Sequence, residues 1–156
     1  MRKGFSLIEL MMVIGIMAIV GFFVLPNLSG KRSATQLDLA TKEIAAALRE
    51  AQGRALAEAS SSAWGVHLDN VVSSSPFFAV YAGTYNISSV TAREPLPSGI
   101  QFATTSVPEE GSRDISFGQA TGRPQASTTV QLVLKIPAGN VTSTIISVNA
   151  FGAVSY

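Results

Sequence analysis

The chain has 156 residues, with 11 basic and 10 acidic side chains, a formal charge of +1 and no cysteine. From residue 30 onward the two signs cancel at nine each, so net charge offers no footprint for nucleic acid or for a strongly acidic partner. The missing cysteines exclude a disulfide framework, thiol catalysis and cysteine-ligated zinc, and the length suits one domain with one modest core.

Residues 5–25 form an apolar run in which Glu9 is the only charge. A helix of that length measures about 31 Å, close to the ~30 Å hydrocarbon thickness of a bilayer. In lipid a single segment must satisfy its own backbone, which requires a helix. The reading is a retained transmembrane helix with Arg2 and Lys3 on the cytoplasmic side. A secretory signal peptide is the competing reading, but this apolar core exceeds the usual ~7–15 residues and no A-x-A site follows it. Pro26 closes the run and predicts a kink, because proline removes a helical hydrogen bond.

Residues 31–59 again read as helix. Leu37, Ile44 and Ala51 lie seven apart, and Thr41, Leu48 and Ala55 interleave with them, which makes one apolar stripe. Asp38 with Lys42, and Glu50 with Arg54, are acid-before-base pairs on the wet face. Ser60-Ser61-Ser62 is the expected stop.

Beyond residue 62 the period changes to two. Trp64, Val66 and Leu68 predict a half-buried strand that leaves His67 on the wet face. Residues 77–82 predict its hairpin partner, and residues 85–98 read as loop around Pro95 and Pro97. Short strands are expected at 100–103 and 115–117, then a turn at Thr121-Gly122-Arg123-Pro124. Val130, Leu132, Leu134 and Ile136 mark the clearest strand, over 128–136. A turn at 137–140 and strands at 142–149 and 153–156 complete the plan. The fold class is α+β: a long N-terminal helix, transmembrane in its first half, kinked near Pro26 and amphipathic in its second, packed on an antiparallel β-sheet module.

The opening residues Lys3-Gly4-Phe5-Ser6-Leu7-Ile8-Glu9-Leu10, with an apolar helix to Leu25 and Pro26 after it, resemble the leader of the type IV pilin and pseudopilin superfamily. The resemblance implies cleavage between Gly4 and Phe5 by a prepilin peptidase, N-methylation of Phe5, and a helix that packs into a filament with the β module outside, the pilin lollipop. It implies a segmentation into a leader at 1–4, a transmembrane and assembly helix at 5–29, an amphipathic helix at 30–59 and a β module at 60–156. Three later segments resemble the H-type minor pseudopilins of type II secretion and the T-type fimbrial minor pilins. They are Leu96-Pro97-Ser98-Gly99-Ile100, Thr121-Gly122-Arg123-Pro124 after Ile115-Ser116-Phe117, and the run from Ile145 to Gly152. Gly152 is followed by Ala153-Val154-Ser155-Tyr156 and not by the arginines of DNA-binding fimbrial members, so DNA binding is not carried over.

Glu9 is the residue that chemistry singles out. A carboxylate in hydrocarbon is costly and is usually retained for a partner. Cleavage before Phe5 creates an ammonium one helical turn away, and low dielectric strengthens that attraction. Glu9 is therefore expected to act as the assembly carboxylate, accepting the Phe5 amine of a neighbouring subunit. Gly4 leaves the scissile backbone open to a protease cleft.

No H-E-x-x-H or G-x-S-x-G is present, and Gly30-Lys31-Arg32-Ser33 lacks the first glycine of a P-loop. No enzyme, cofactor or metal site is expected. Glu109, Glu110 and Asp114 lack the dense alternating ligands of a calcium loop, and Trp64, Phe77, Phe78 and Tyr81 read as sheet core against the alanine-rich helix. The functional expectation is a structural minor pseudopilin of a type II secretion pseudopilus. It would be anchored once in a bacterial inner membrane with its β module in the periplasm, and later sit in a periplasmic or extracellular filament. Its partners would be the prepilin peptidase/methyltransferase and other pseudopilins. A minor pilin for adhesion, motility or DNA uptake is the alternative, and a ligand- or DNA-binding filament tip is the alternative of another class.

Overall fold

The computed structural model describes the backbone of residues 6–71, 73–135 and 141–156, and the side chains of all these except 22–32, 135 and 141. Two compact units result, Met1–Thr35 and Gln36–Tyr156. One helix, α1 (Leu7–Leu56), contributes to both.

In the second unit α1 carries the predicted stripe. Leu37, Thr41, Ile44, Leu48, Ala51 and Ala55 are all buried, and each large aliphatic among them contributes roughly 1.5–3 kcal/mol by leaving water. Thr41 meets the core because its hydroxyl donates to the Leu37 carbonyl oxygen at 2.7 Å. On the wet face the two expected ion pairs form, Lys42–Asp38 at 2.6 Å and Arg54–Glu50. The Asp38 carboxylate, by hydrogen bond and charge, holds the Lys42 amine above its ordinary range.

The helix stops three residues before the expected end at Ala59. Glu58 takes a left-handed φ of 51°, and a 3-10 turn, Ala59–Ser61, follows. Trp64 seals that end. Its Nε1 donates to the Ala59 carbonyl at 2.7 Å, and Arg54 sits 4.6 Å over its ring.

Among the described residues eight strands follow: β1 (Trp64–Asp69), β2 (Phe77–Ala82), β3 (Val90–Pro95), β4 (Ile100–Phe102), β5 (Ser112–Phe117), β6 (Thr128–Lys135), β7 (Val141–Val148) and β8 (Val154–Ser155). They form two four-stranded antiparallel sheets, ordered β3-β2-β1-β5 and β4-β6-β7-β8. The division falls where prolines and tight turns interrupt the ladders. Pro95 and Pro97 separate β3 from β4, and the hydrogen bonds Gly118 N–Arg123 O (2.8 Å) and Gly122 N–Gly118 O (2.9 Å) close a turn after β5. Ile136 and the expected turn at 137–140 lie outside the described residues. One core joins the helix stripe to both sheets, through Val66, Leu68 and Phe117 on one side and Val130, Leu132 and Ile146 on the other.

Three further expectations are corrected. Residues 90–95 are a strand, not loop. β3 is an edge whose residues after Val90 are all exposed, so it has no apolar alternation to reveal it, and its closing Pro95 sits where an edge tolerates one. His67 is not on a wet face; it is 4% exposed. β1 is buried on both sides because the segment after β2 folds back over the outer face. Gly83 N donates to the Ala63 carbonyl at 2.7 Å, and the Asn86 side chain accepts from the Ser88 and Ser89 amides, both at 2.9 Å. That turn brings Tyr85 flat onto the His67 ring, with centroids 3.5 Å apart. Phe77 and Tyr81 belong to this outer layer, whereas Trp64 and Phe78 face α1.

Candidate assembly surface

Gly4 and Phe5, the expected cleavage pair, lie outside the described residues. Their helix begins just after them, with Leu10 N donating to the Ser6 carbonyl oxygen at 3.2 Å. Glu9 is in the first turn of α1 and exposed to solvent, where the helix N-terminus favours negative charge. Around it Met11, Met12, Val13 and Ile14 are exposed by 66%, 66%, 42% and 60%. Four consecutive helical residues point in every direction about the axis, so no side of this segment is packed. A helix apolar all round belongs in a membrane or inside a larger assembly. The described side chains of the run end at Gly21, and among the described residues no helix is long and apolar enough to cross a membrane. The backbone of Pro26 lies within α1.

In the second unit, distant segments meet at one side chain that the sequence did not mark. Gln52 Nε2 donates to the carbonyl oxygens of Gly122 (3.2 Å) and Phe151 (3.3 Å). Arg49 donates to the Val154 carbonyl at 3.0 Å, and Ala120 N donates to Ala55 O at 2.9 Å. Two of the three segments picked out by resemblance, at 121–124 and 145–152, are thus clasped together on α1. A glutamine between Ala51 and Ala55 carries no sequence signal of this role.

His67 sits in a cluster on the outer face of the first sheet. Its Nδ1 is 2.8 Å from Asp114 Oδ1, and its Nε2 is 3.8 Å from Asp69 Oδ2. A carboxylate only accepts, so Nδ1 carries the proton. Tyr81 lies beside Tyr85 at 5.5 Å, edge to face. Burial, and then the Asp114 carboxylate, push the Tyr81 phenol up to about 12. Asp114 is thus engaged here while Glu110 accepts from Ser73 N, and among the described residues no three His, Asp or Glu side chains are placed to hold a metal ion.

Asn70 also escaped sequence reading, as part of a polar turn. It is buried and donates to the carbonyls of Phe102 (3.2 Å) and Val107 (3.1 Å), fastening the turn after β1 to the segment after β4.

Comparison with known proteins adds a family motif and a likeness of fold. Residues 1–25 match the family model of the prokaryotic N-terminal methylation motif. The fold is similar to two crystal forms of the type IV minor pilin FimU of Pseudomonas aeruginosa (strain PAO1), each 14% identical. One has a TM-score of 0.53 over 76% of this chain and 90% of that one, and the other 0.50 over 78% and 88%. No curated protein matches the chain. The methylation motif at the start and the minor-pilin fold behind it together support one placement, the type IV pilin and pseudopilin superfamily.

Proposed function

We propose that the chain is a minor structural subunit of a pilin-class filament, cut between Gly4 and Phe5, methylated on Phe5 and drawn from the inner membrane into the filament. The observation that carries this is a helix apolar on every side, interrupted by the one carboxylate of Glu9, inside the stretch that matches a methylation motif. Residues 5–29 serve first as anchor and then as filament core. Pro26 loosens the helix between that segment and the amphipathic part that follows. Glu9 receives the Phe5 amine of a neighbour and sets register, a pairing that hydrocarbon surroundings strengthen. Residues 60–156 form the exposed module.

Within that class we assign it to a type II secretion pseudopilus, a reading that the later segments fit as they fit the fimbrial minor pilins. The minor-pilin fold favours a second reading, a subunit of a type IV pilus. Mass spectrometry of the chain recovered from its host tests the shared part, with a mature N-terminus at N-methylated Phe5 expected. An intact leader would overturn it. Deleting the gene separates the two filaments: loss of an exported protein with surface pili intact supports the pseudopilus, and loss of pili with export intact supports the pilus.

A further inference from the structure

The strands at the rims of the two sheets protect their outer edges, each in its own way. β3 carries Arg93, Glu94 and Pro95, and its register with β2 shifts at Val80 and Tyr81. β5 is crossed by the segment after it, with Gln125 N donating to the Ser116 carbonyl oxygen at 3.3 Å and Pro124 in a β-bridge with Phe117. β4 has three residues, and in β8 the Val154 carbonyl oxygen accepts from Arg49. Charge, proline, cover and shortness are the ordinary defences of a sheet edge. β7 has none of them along most of its outer side. Among the described residues only β6 and β8 pair with it, and β8 reaches only Ser147 and Val148. Its sequence, Val141-Thr142-Ser143-Thr144-Ile145-Ile146-Ser147-Val148, holds no charge, proline or glycine, the composition that templates strand pairing. Thr142 and Ser143 are exposed, and Ile145 is 50% exposed.

Hydrogen-bond direction shows which backbone groups this edge offers. Asn149 N donates to the Ala153 carbonyl oxygen at 3.1 Å, on the β8 side of β7. The register with β6 is unbroken from Val141 to Val148, and backbone direction alternates along a strand. Ser147, Ile145 and Ser143 therefore turn their N–H and C=O groups the same way as Asn149. Ser147 meets Ser155 of β8. Ile145 and Ser143 meet no strand among the described residues, while Thr144 and Ile146 turn toward β6. We propose that the Ser143–Ile145 edge of β7 receives an extended segment of a different filament subunit, added as one strand end to end with β8. The chemistry of that segment follows from its place. Its inward side chains extend the buried layer of Leu132, Leu134 and Ile146, so they are apolar. Its outward ones lie beside Ser143 and Ile145, whose partners on β6 are Val133 and Gln131, so they are uncharged. A second copy of this chain does not fit the role. Its other edges are protected, and two β7 edges pair only about a twofold axis, in a contact that closes on itself. One open edge takes one strand, so the contact with a different subunit does not propagate, as a minor subunit requires. The inference rests on the filament reading and names a surface and a partner chemistry for it.

Backbone and side chain can be tested apart at Ile145. Its N–H turns away from β6, so Ile145→Pro leaves the β6–β7 bonds in place and removes a donor from the added strand. In detergent the full-length variant should unfold close to the parent temperature. In cells lacking the parent copy, its share in sheared filaments should fall about tenfold. Ile145→Thr keeps the donor and a β-branched side chain and should enter filaments like the parent. Independently, p-benzoylphenylalanine placed at residue 143 or 145 of the full-length chain is photo-cross-linked in filaments, and the joined peptides are read by mass spectrometry. The two sites should mark positions about two residues apart in one segment of another subunit. If Ile145→Pro fails to fold, that spacing decides alone. Ile145→Pro folded and incorporated like the parent overturns the proposal, and so does an Ile145→Thr loss equal to that of Ile145→Pro, which would make the contact one of side chains. Scattered cross-links, or none, while the processed chain still enters filaments overturn it and leave the filament reading standing. Cross-links between two copies of this chain overturn the choice of partner. The paired cross-links on a chain whose leader stays uncut keep the contact and overturn the filament reading.

Discussion

Tyr81 and Gly65 are directly paired across β1 and β2, and the pair works because one member has no side chain. A Cβ on Gly65 would fall 2.7 Å from the Tyr81 ring and 2.9 Å from the Ile115 carbonyl oxygen. The carbonyl cannot yield without bending β5. Gly65→Ala is therefore expected to cost about 1–3 kcal/mol in chemical denaturation. Gly53→Ala, in an exposed helical position with open space around it, should gain about 0.5–1 kcal/mol. Tyr81 itself makes stability depend on alkaline pH. The folded state holds its phenol at about 12 against an ordinary 10. Below pH 10 both folded and unfolded chains keep the proton, and the contribution is complete. Between about 10 and 12 only the unfolded chain releases it, so stability falls as pH rises, by no more than about 3 kcal/mol. Urea midpoints from pH 8 to 12 should show this decline, and Tyr81→Phe should flatten it. None of this was legible residue by residue. Alternation identified β1, but alternation says only that two faces differ, and Tyr85 arrives over His67 from outside the strand.

At the scale of elements, legibility followed the strength of the apolar period. The α1 stripe and β6 were readable because their apolar positions repeat and face one core. β3 was not, because an edge strand is held by backbone bonds to β2 and its side chains face water. The clasp at Gln52 was invisible for a related reason: it consists of backbone carbonyls, which leave no trace in side-chain pattern. Its demands are nonetheless strict. Gly152 has φ +87°, and a Cβ there would meet Gln52 Nε2 and lie 2.6 Å from the Gly122 carbonyl oxygen. Left-handed strain of about 1–2 kcal/mol and a clash with backbone act together. Gly152→Ala should lower stability by about 2–4 kcal/mol. Gln52→Ala, which deletes the donor but relieves no strain, should cost about 1–2 kcal/mol. Thermal unfolding of both variants checks the order, and equal losses would mean that the backbone at Gly152 is not what holds the segment.

For the whole molecule, the two units follow different rules of solvent. The second buries its apolar stripe within itself and is satisfied in water. The first exposes every face of an apolar helix and needs other surroundings. That contrast was visible in the sequence as a change from an unbroken apolar run to a seven-residue period, and the segments that pair in the β module were visible only in part. Glu9 is where the two candidate surroundings, lipid and filament, can be told apart. In lipid the carboxylate is a cost, so Glu9→Leu should leave the chain in the membrane at least as well as the parent. On the proposed filament reading it pairs with the Phe5 amine of a neighbour, and losing an interaction worth roughly 1.4–3 kcal/mol is expected to lower incorporation about 10- to 100-fold. Glu9→Gln keeps the shape without the charge and should fail like Glu9→Leu. Glu9→Asp keeps the charge on a shorter arm and should fall between. The measured quantity is the ratio of chain in sheared filaments to chain in membranes, in cells lacking the parent copy. Equal ratios for parent, Gln and Leu would show that the carboxylate only snorkels to the headgroups, and that register is set elsewhere. A fall in incorporation with unchanged membrane content would locate the requirement in the step from lipid to filament, since insertion into lipid would already have succeeded.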